Sequence, residues 1–482
     1  MTVRFVIPSE ARDLQFSEPN MLTKDQAADL FGRIRKHSTA DAIEVIVGGG
    51  RSALTRFANN TIHQNVAEEG YSISVRTQIG RRTARAGTNK LDEESLRRVV
   101  QSAEALTRVQ PEDPELPAMA SSSDAQPRTA VPRRHFAETA ATGPGERAAT
   151  VEQMVAIAKR EKLTAAGIFS TSEVAEGIFN SRGLEAFHTQ TSSEISVTML
   201  AQDSSGWQKA NSPDVRNLDG VKLAEIAAEK ARASANPQEL TPGKYTVVLE
   251  PAAVLDLVGF MFYDFSGLAV LDQRSFLNNR IGTRLFGENI SIWDDVTHPL
   301  QSGAPVDGEG TPRQRVRLVE KGIIKRLVYA RGTADKMKKS PLVPGVGEIA
   351  ATGHGFPLPN EMGEAPLNLV FEAVPDAEQW STQEMIASTE RGVLVTRMWY
   401  IREVDPYEKI LTGMTRDGTF LIENGKLKRG IRNFRFNQSL ISMLSSVEAM
   451  GKPVRASGEE SFDMVVPAMK VHEFNFTEVT KF

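Results

Sequence analysis

The side chains able to hold a metal or move a proton near neutral pH are seven histidines (His37, His63, His135, His188, His298, His354 and His472) and the carboxylates, because the chain has no cysteine. Without a thiolate there is no disulfide, thiol nucleophile, iron–sulfur cluster or cysteine-dependent zinc site. No two histidines stand within a few residues of each other. A zinc-peptidase helix sets two histidines on one face with a glutamate between them as base. His472-Glu473 runs on into Phe474-Asn475-Phe476-Thr477 and offers no second imidazole. His354 lies in Gly353-His354-Gly355, where glycines let a backbone come close to a ligand, so it is a cleft candidate beside the plainer reading of a flexible loop histidine. The close pairs Asp294 with Asp295, and Asp307 with Glu309, read as solvated surface acids in loops. A hydrolytic metal gathered from distant donors such as His298, His354 and Asp294 remains one enzyme alternative.

Trp399-Tyr400-Ile401-Arg402, preceded by Thr396 and Arg397, mixes aromatic and cationic side chains at strand spacing. Alternation sets Arg397, Trp399 and Ile401 on one face and Met398, Tyr400 and Arg402 on the other. Such a strand could line a groove for an extended peptide, or it could pack in a core with snorkelling arginines. The expected substrate-cleft residues are Arg397, Trp399, Tyr400 and His354; no catalytic or metal-ligating residue is assigned. Phosphate signals are weak. Gly48-Gly49-Gly50-Arg51-Ser52 lacks the lysine of a P-loop and leads into strand-like residues, which predicts a hairpin turn. Gly345-Val346-Gly347-Glu348-Ile349-Ala350 approximates a dinucleotide fingerprint but follows Pro341 and Pro344 in a loop. There is no Gly-x-Ser-x-Gly elbow of an α/β-hydrolase.

The elements that would hold these residues fall into two parts. Thr23 to His37 has helical spacing, with Thr23 and Gln26 placed for a capping box. Strand-like runs follow at Ala42 to Val47, Ala53 to Phe57, Tyr71 to Thr77 and Arg82 to Ala86, then a helix over Leu91 to Val109. Gln110 to Arg134 is rich in Pro, Ser and Ala without an apolar period, which predicts a long, poorly ordered surface connection. A second α+β stretch follows, a helix over Glu146 to Glu161 and strands from Ala165 to Ala201, and its turn-separated strand series resembles the earlier one over Phe57 to Arg85. The second stretch ends in a helix over Val221 to Ala235. From Lys244 onward hairpin signals dominate, with Asn424-Gly425 the strongest. The expectation is an α+β chain of two domains, 1–236 and a β-rich 237–482.

Composition narrows the function. The 482 residues carry 57 Lys+Arg against 61 Asp+Glu, a net charge of −4 that gives nucleic-acid binding little support. No run reaches the ~18 apolar residues of a membrane helix, and Met1 to Asn20 lacks a secretory apolar core, so a cytoplasmic location is expected.

Several motifs in order carry a family resemblance: Gly310-Thr311-Pro312 with Val319-Glu320-Lys321-Gly322, Thr396 to Arg402, Phe420-Leu421-Ile422-Glu423-Asn424-Gly425, and Asn433-Phe434-Arg435-Phe436-Asn437-Gln438-Ser439. Arg56 to Gln64 and Asn180 to Gly183 agree. Together they resemble the TldD/PmbA family, specifically its PmbA (TldE) branch. The resemblance implies a two-domain fold and, in TldD-type subunits, zinc peptidase activity from His-Glu-x-x-x-His on a helix plus a downstream cysteine. Here the corresponding stretch, after Tyr245 to Leu249, reads Glu250-Pro251-Ala252-Ala253-Val254-Leu255-Asp256-Leu257-Val258-Gly259-Phe260, with no histidine. The resemblance therefore implies a chain without a cofactor of its own that pairs with a zinc-bearing TldD-type subunit to act on unfolded or modified peptides. The alternative from the binding class is a homodimer that binds peptides or a natural product without cleaving them. The family is also named for DNA gyrase modulation, which the charge does not favour as direct DNA binding.

Overall fold

The computed structural model describes residues 21–124, 130–341, 349–375 and 378–480. Helix α1 (Lys24–Arg35) starts on the expected capping box: the Gln26 N–H donates to Thr23 Oγ1 at 3.2 Å, and the Thr23 N–H to Gln26 Oε1 at 2.9 Å. Strands β1 (Ala42–Ala58), β2 (Thr61–Ile79) and β3 (Arg82–Thr88) follow, then α2 (Glu93–Val109). After the short α3 (Ala137–Ala141), α4 (Pro144–Arg160) opens the same pattern again, with β4 (Thr164–Asn180), β5 (Glu185–Leu200), β6 (Ser205–Ser212) and α5 (Gly220–Ala233). The six strands form one antiparallel sheet in the order β3-β2-β1-β4-β5-β6. The repeated series in the sequence is thus a structural repeat, two three-stranded meanders joined edge to edge at β1 and β4. Two cores pack on the sheet, each drawing on both meanders. Helices α1 and α2 cover Val45, Val47, Ile73 and Val75, and α4 and α5 cover Phe57, Phe169, Ile195 and Val197.

Between the two cores the strands do not turn. Gly48-Gly49-Gly50, expected as a hairpin, lies inside the single strand β1, paired on both sides. The glycines serve packing there: a Cβ on Gly49 would stand 2.9 Å from Leu22 Cβ and 3.2 Å from the Tyr71 ring. In the run from 110 to 134 the described residues are mostly exposed and without helix or strand, but a few buried anchors interrupt it. Met119 and Ala120 are buried, and the Ala120 carbonyl accepts from Asn180 Nδ2 at 2.8 Å. At the other end Arg134 donates to the carbonyls of Val296 (2.9 Å), His298 (3.0 Å) and Pro299 (3.1 Å). Side-chain anchors hold what lacks secondary structure; residues 125–129 lie outside the described set, as do residues 342–348 and with them most of the dinucleotide-like run.

The remainder is built from β7 (Gly243–Leu249), β8 (Ile292–Asp294), β9 (Val316–Glu320), β10 (Ile323–Ile324), β11 (Leu369–Phe371), β12 (Arg391–Asp405), β13 (Ile410–Glu423), β14 (Lys426–Gly430), β15 (Phe434–Ser439), β16 (Val447–Met450), β17 (Val454–Ala456), β18 (Met464–Val466) and β19 (Met469–Val479). One sheet runs β10-β9-β8-β11-β18-β17. The other runs β12-β7-β19-β15-β13, and because β13 also pairs with β12 the strands close a ring, with β14 and β16 outside it. Val247, Leu249, Val393, Val395, Phe434, Phe436, Phe474 and Phe476 belong to the large core that this ring shares with the smaller sheet. The turn from β13 to β14 places Asn424 and Gly425 at φ 50° and 70°, the left-handed pair that an Asn-Gly hairpin demands. Helix α6 (Pro251–Val258) follows β7 and rests on the ends of β12, β17 and β18.

Candidate functional site

The site begins at α6, where the resemblance would put a zinc helix. Pro251 sits in the first helical turn, where its missing N–H costs nothing. Every side chain from Ala253 to Val258 is buried, including the one acid, Asp256. Its Oδ1 accepts the N–H groups of Glu459 and Glu460, both at 3.2 Å, so the loop between β17 and β18 closes over this face of the helix. Burial lifts the Asp256 carboxyl to about 7, against the pull of those N–H groups and of Arg397. Polar side chains are few along the helix: Asp256, whose Oδ2 is unpartnered, and Ser461, whose hydroxyl lies against Gly259 at its end. An acid and a hydroxyl do not make the three or four good donors that zinc needs, so the residues present do not fit zinc. Among the described residues no group of three or more His, Cys, Asp or Glu could hold a metal ion.

Three of the four sequence candidates meet on the outer part of β12, close to this loop. Arg397 is buried, its Nε donating to Asp417 Oδ2 at 2.7 Å. Asp417 Oδ1 also accepts from Ser205 Oγ at 2.5 Å, and the guanidinium lies 4.6 Å from the Trp207 ring centre. Ser205 and Trp207 belong to β6, so Arg397 ties the β-rich part to the N-terminal sheet. Trp399 is half-buried between Arg397 and Arg416, at 5.3 and 4.8 Å. Tyr400 is 53% exposed, and its N–H donates to Glu460 Oε1 at 2.7 Å. Simple alternation fails along this strand. A bulge between Trp399 and Arg402, with Tyr400 at φ 55°, drives both Met398 and Ile401 into the core and turns Tyr400 and Arg402 outward. A cavity of about 650 Å³ adjoins the tie, lined by Ser205, Ser234, Asp417 and Asn433 among others.

His354 lies elsewhere and fully buried. Its Nε2 is 2.8 Å from Asp294 Oδ1 and its Nδ1 3.0 Å from Thr352 Oγ1. Arg313 donates to the same Asp294 oxygen at 3.1 Å, and the Asn368 N–H to the other at 2.8 Å. Burial alone would raise the Asp294 carboxyl; His354 and Arg313 outweigh it and hold it well below the usual carboxylate range, while burial lowers His354. A histidine with both ring nitrogens engaged beside a guanidinium is a structural link, neither a flexible loop residue nor a good metal donor. The acid pairs are likewise buried rather than solvated. Asp307 caps its own turn, taking the N–H groups of Glu309 (2.9 Å) and Thr311 (2.8 Å) on Oδ1 and of Gly355 (2.7 Å) on Oδ2. Burial raises both Asp307 and Glu309, and the charge of Asp307 raises Glu309 further.

Sequence reasoning missed Asp417, Trp207, Glu460 and Asp256. Only Asp256 left a signal, as the single acid on an otherwise apolar helix.

The sequence matches the PmbA/TldA metallopeptidase C-terminal domain over residues 242–478, domain 1 over 43–107 and the central domain over 139–235. The chain belongs to the PmbA/TldD family. Within it, an uncharacterized protein of Methanocaldococcus jannaschii is 30% identical over 166 residues, covering 34% of this chain and 39% of that one. A protein of the same organism named a metalloprotease is 24% identical over 243 residues, 49% of this chain and 50% of its own length. The chain thus spans half or less of these two relatives. TldE from Thermococcus kodakarensis has a similar fold, with a TM-score of 0.81 and 18% identity, over 94% of this chain and all of that one. The α+β architecture with a β-rich C-terminal part is therefore that of the PmbA/TldD family.

Proposed function

We propose that this chain is the non-catalytic, TldE-like subunit of a cytoplasmic heteromeric peptidase, in which a TldD-type partner carries the zinc. The observation that carries the reading is α6: its face is closed by the β17–β18 loop, and its one acid is spent on two backbone N–H groups. What this chain contributes is a surface for the peptide. The end of β12, from Arg402 to Asp405, has β13 as its only strand neighbour among the described residues, and Arg402 and Val404 are exposed along it, with Tyr400 just before. An extended peptide can add there through main-chain hydrogen bonds with little side-chain selectivity.

The test is to purify the chain alone and with a TldD-type subunit bearing His-Glu-x-x-x-His, and to measure zinc per chain, mass in solution and peptide cleavage. The expected result is zinc well below one per chain, no cleavage alone, and cleavage by the pair. One firmly held zinc per chain, or cleavage by the chain alone, overturns it; a homodimer that binds peptide and ignores the partner sinks the heteromer. Because Arg397 is a buried tie, the informative variant is Tyr400→Ala with Arg402→Ala, expected to lower turnover by the pair several-fold while leaving its assembly intact.

A further inference from the structure

A second cavity, of about 490 Å³, lies in the N-terminal sheet between the waist of β1, β2 and β4 and the start of α4. Arg147 of α4 lines it. Its side chain is only 2% exposed, yet every acceptor it reaches is neutral: the Thr142 carbonyl at 2.9 Å, Thr55 Oγ1 at 3.3 Å, and Thr171 Oγ1 and Asn65 Oδ1 at 3.4 Å. Three of these four bonds are at the long limit. Arg134 offers a comparison within the same molecule, its guanidinium meeting three carbonyls at 2.9 to 3.1 Å while its Nε is without a partner. The charge of Glu146 offsets only part of the cost of burying this cation, and an anionic ligand in contact with it would relieve more.

Other features of the cavity agree with an anion. Arg51 lines it as well, and the nearest carboxylate, Glu173, stands 3.8 Å away while His135 Nε2 holds that same carboxylate at 2.6 Å. Gly143 and Pro144 bring the start of the 17-residue helix α4 to the wall, where the Gly143 N–H is already taken by Glu146 Oε2 at 3.0 Å. The floor is small and apolar: Ala53 of β1 faces Ala67 of β2 in register. Val66 and Glu68, which alternate to the opposite face of β2, line the cavity too, so it reaches round that strand's edge. The edge is open, because β3 pairs only with Ile73 to Ile79, leaving β1 as the sole strand neighbour of Thr61 to Ser72 among the described residues.

We propose that this cavity takes the C-terminal carboxylate of an extended peptide. Arg147 and Arg51 face the carboxylate, the alanine floor takes a modest apolar last side chain, and the edge of β2 pairs with the peptide main chain. Glu68 and Glu69 at the mouth disfavour multiply charged anions, which selects a single carboxylate over phosphate. The choice of a peptide rests on the chain being a peptide-handling member of its family, whether or not it carries zinc.

The test titrates the full chain, by calorimetry, with a blocked tetrapeptide ending in a free valine, with the same peptide ending in an amide, and with inorganic phosphate. The free acid is expected to bind at least about tenfold tighter than the amide and tighter than phosphate, and Arg147→Met should abolish that preference. Because Arg147→Met alters a buried residue, Ala67→Trp, which fills the alanine floor from the cavity's own face of β2, is expected to block the free acid equally. Equal binding of acid and amide, binding of neither, a preference for phosphate, or a preference that survives both variants overturns the proposal. Failure of the zinc-free reading would show in the metal content and not in these titrations.

Discussion

Asp256 is the residue where charge and packing disagree most openly. Its carboxyl is held at about 7, against an ordinary value of 3.8, because burial penalises the ionised form more than two N–H groups and Arg397 repay it. The sign follows from which state binds the proton. Between the two values the folded chain keeps the proton and the unfolded chain has lost it, so this group's contribution falls as pH rises from about 4 to about 7 and is level above that. Asp256→Asn keeps the shape, lets an amide oxygen accept the same two N–H groups and removes the titration. Relative to the natural chain, the variant is expected to gain roughly 3 to 4 kcal/mol between pH 4 and pH 7. Denaturant titrations of both proteins at several pH values check it; parallel curves would show that Asp256 does not titrate in this window. The single acid on an apolar helix was visible in the sequence, but its partners at Glu459 and Glu460 were not, because two hundred residues separate them in the chain and only the fold joins them. The same holds for Arg397, whose chemistry was legible and whose burial was not: the Asp417 and Trp207 that enclose it come from two other strands.

At the scale of the elements, local signals served well where a cap or a turn decides the structure and poorly where glycine does. Thr23 with Gln26, and Asn424 with Gly425, predicted what is found, since each acts through its own backbone. Gly48-Gly49-Gly50 was misread because glycine marks both turns and close approach, and only the packed neighbours distinguish the two. This gives a paired prediction. Gly49→Val pushes a Cβ against Leu22 and Tyr71 and is expected to destabilise by about 1–3 kcal/mol. Gly32→Ala, inside α1 with nothing within 4 Å of the new Cβ, is expected to stabilise by about 0.5–1 kcal/mol. Chemical denaturation of the two variants decides; a harmless Gly49→Val would mean that Leu22 and the start of α1 yield freely. The likeness of the two strand series was legible, but their joining into one sheet through β1 and β4 was not, because neither strand's sequence names its partner.

For the whole molecule, the question is how firmly the N-terminal sheet and the closed strand ring are bound together. The ties are mostly arginines reaching across to backbone carbonyls: Arg134 to residues 296–299, Arg85 to the Leu358 carbonyl at 2.8 Å and Arg331 to the Ala118 carbonyl at 2.7 Å. Ser205 with Asp417, and Lys209 with the Gly458 carbonyl at 3.0 Å, add to them near α6. A contact of this kind is directional and satisfies several acceptors at once, so losing one leaves buried carbonyls without donors. Arg134 is the most enclosed of these arginines, with burial pulling its guanidinium down to about 10 and no carboxylate paired to it. Arg134→Met is therefore expected to cost on the order of 3 kcal/mol, from three carbonyls left bare rather than from a lost ion pair. If such ties couple the two parts, the natural chain melts in a single calorimetric transition, and Arg134→Met lowers that transition or splits it in two. Two separate transitions in the natural chain, with Arg134→Met leaving both in place, would mean that the parts fold independently. The Arg397–Asp417 tie would then fix the geometry of the proposed peptide surface without contributing to the stability of the whole.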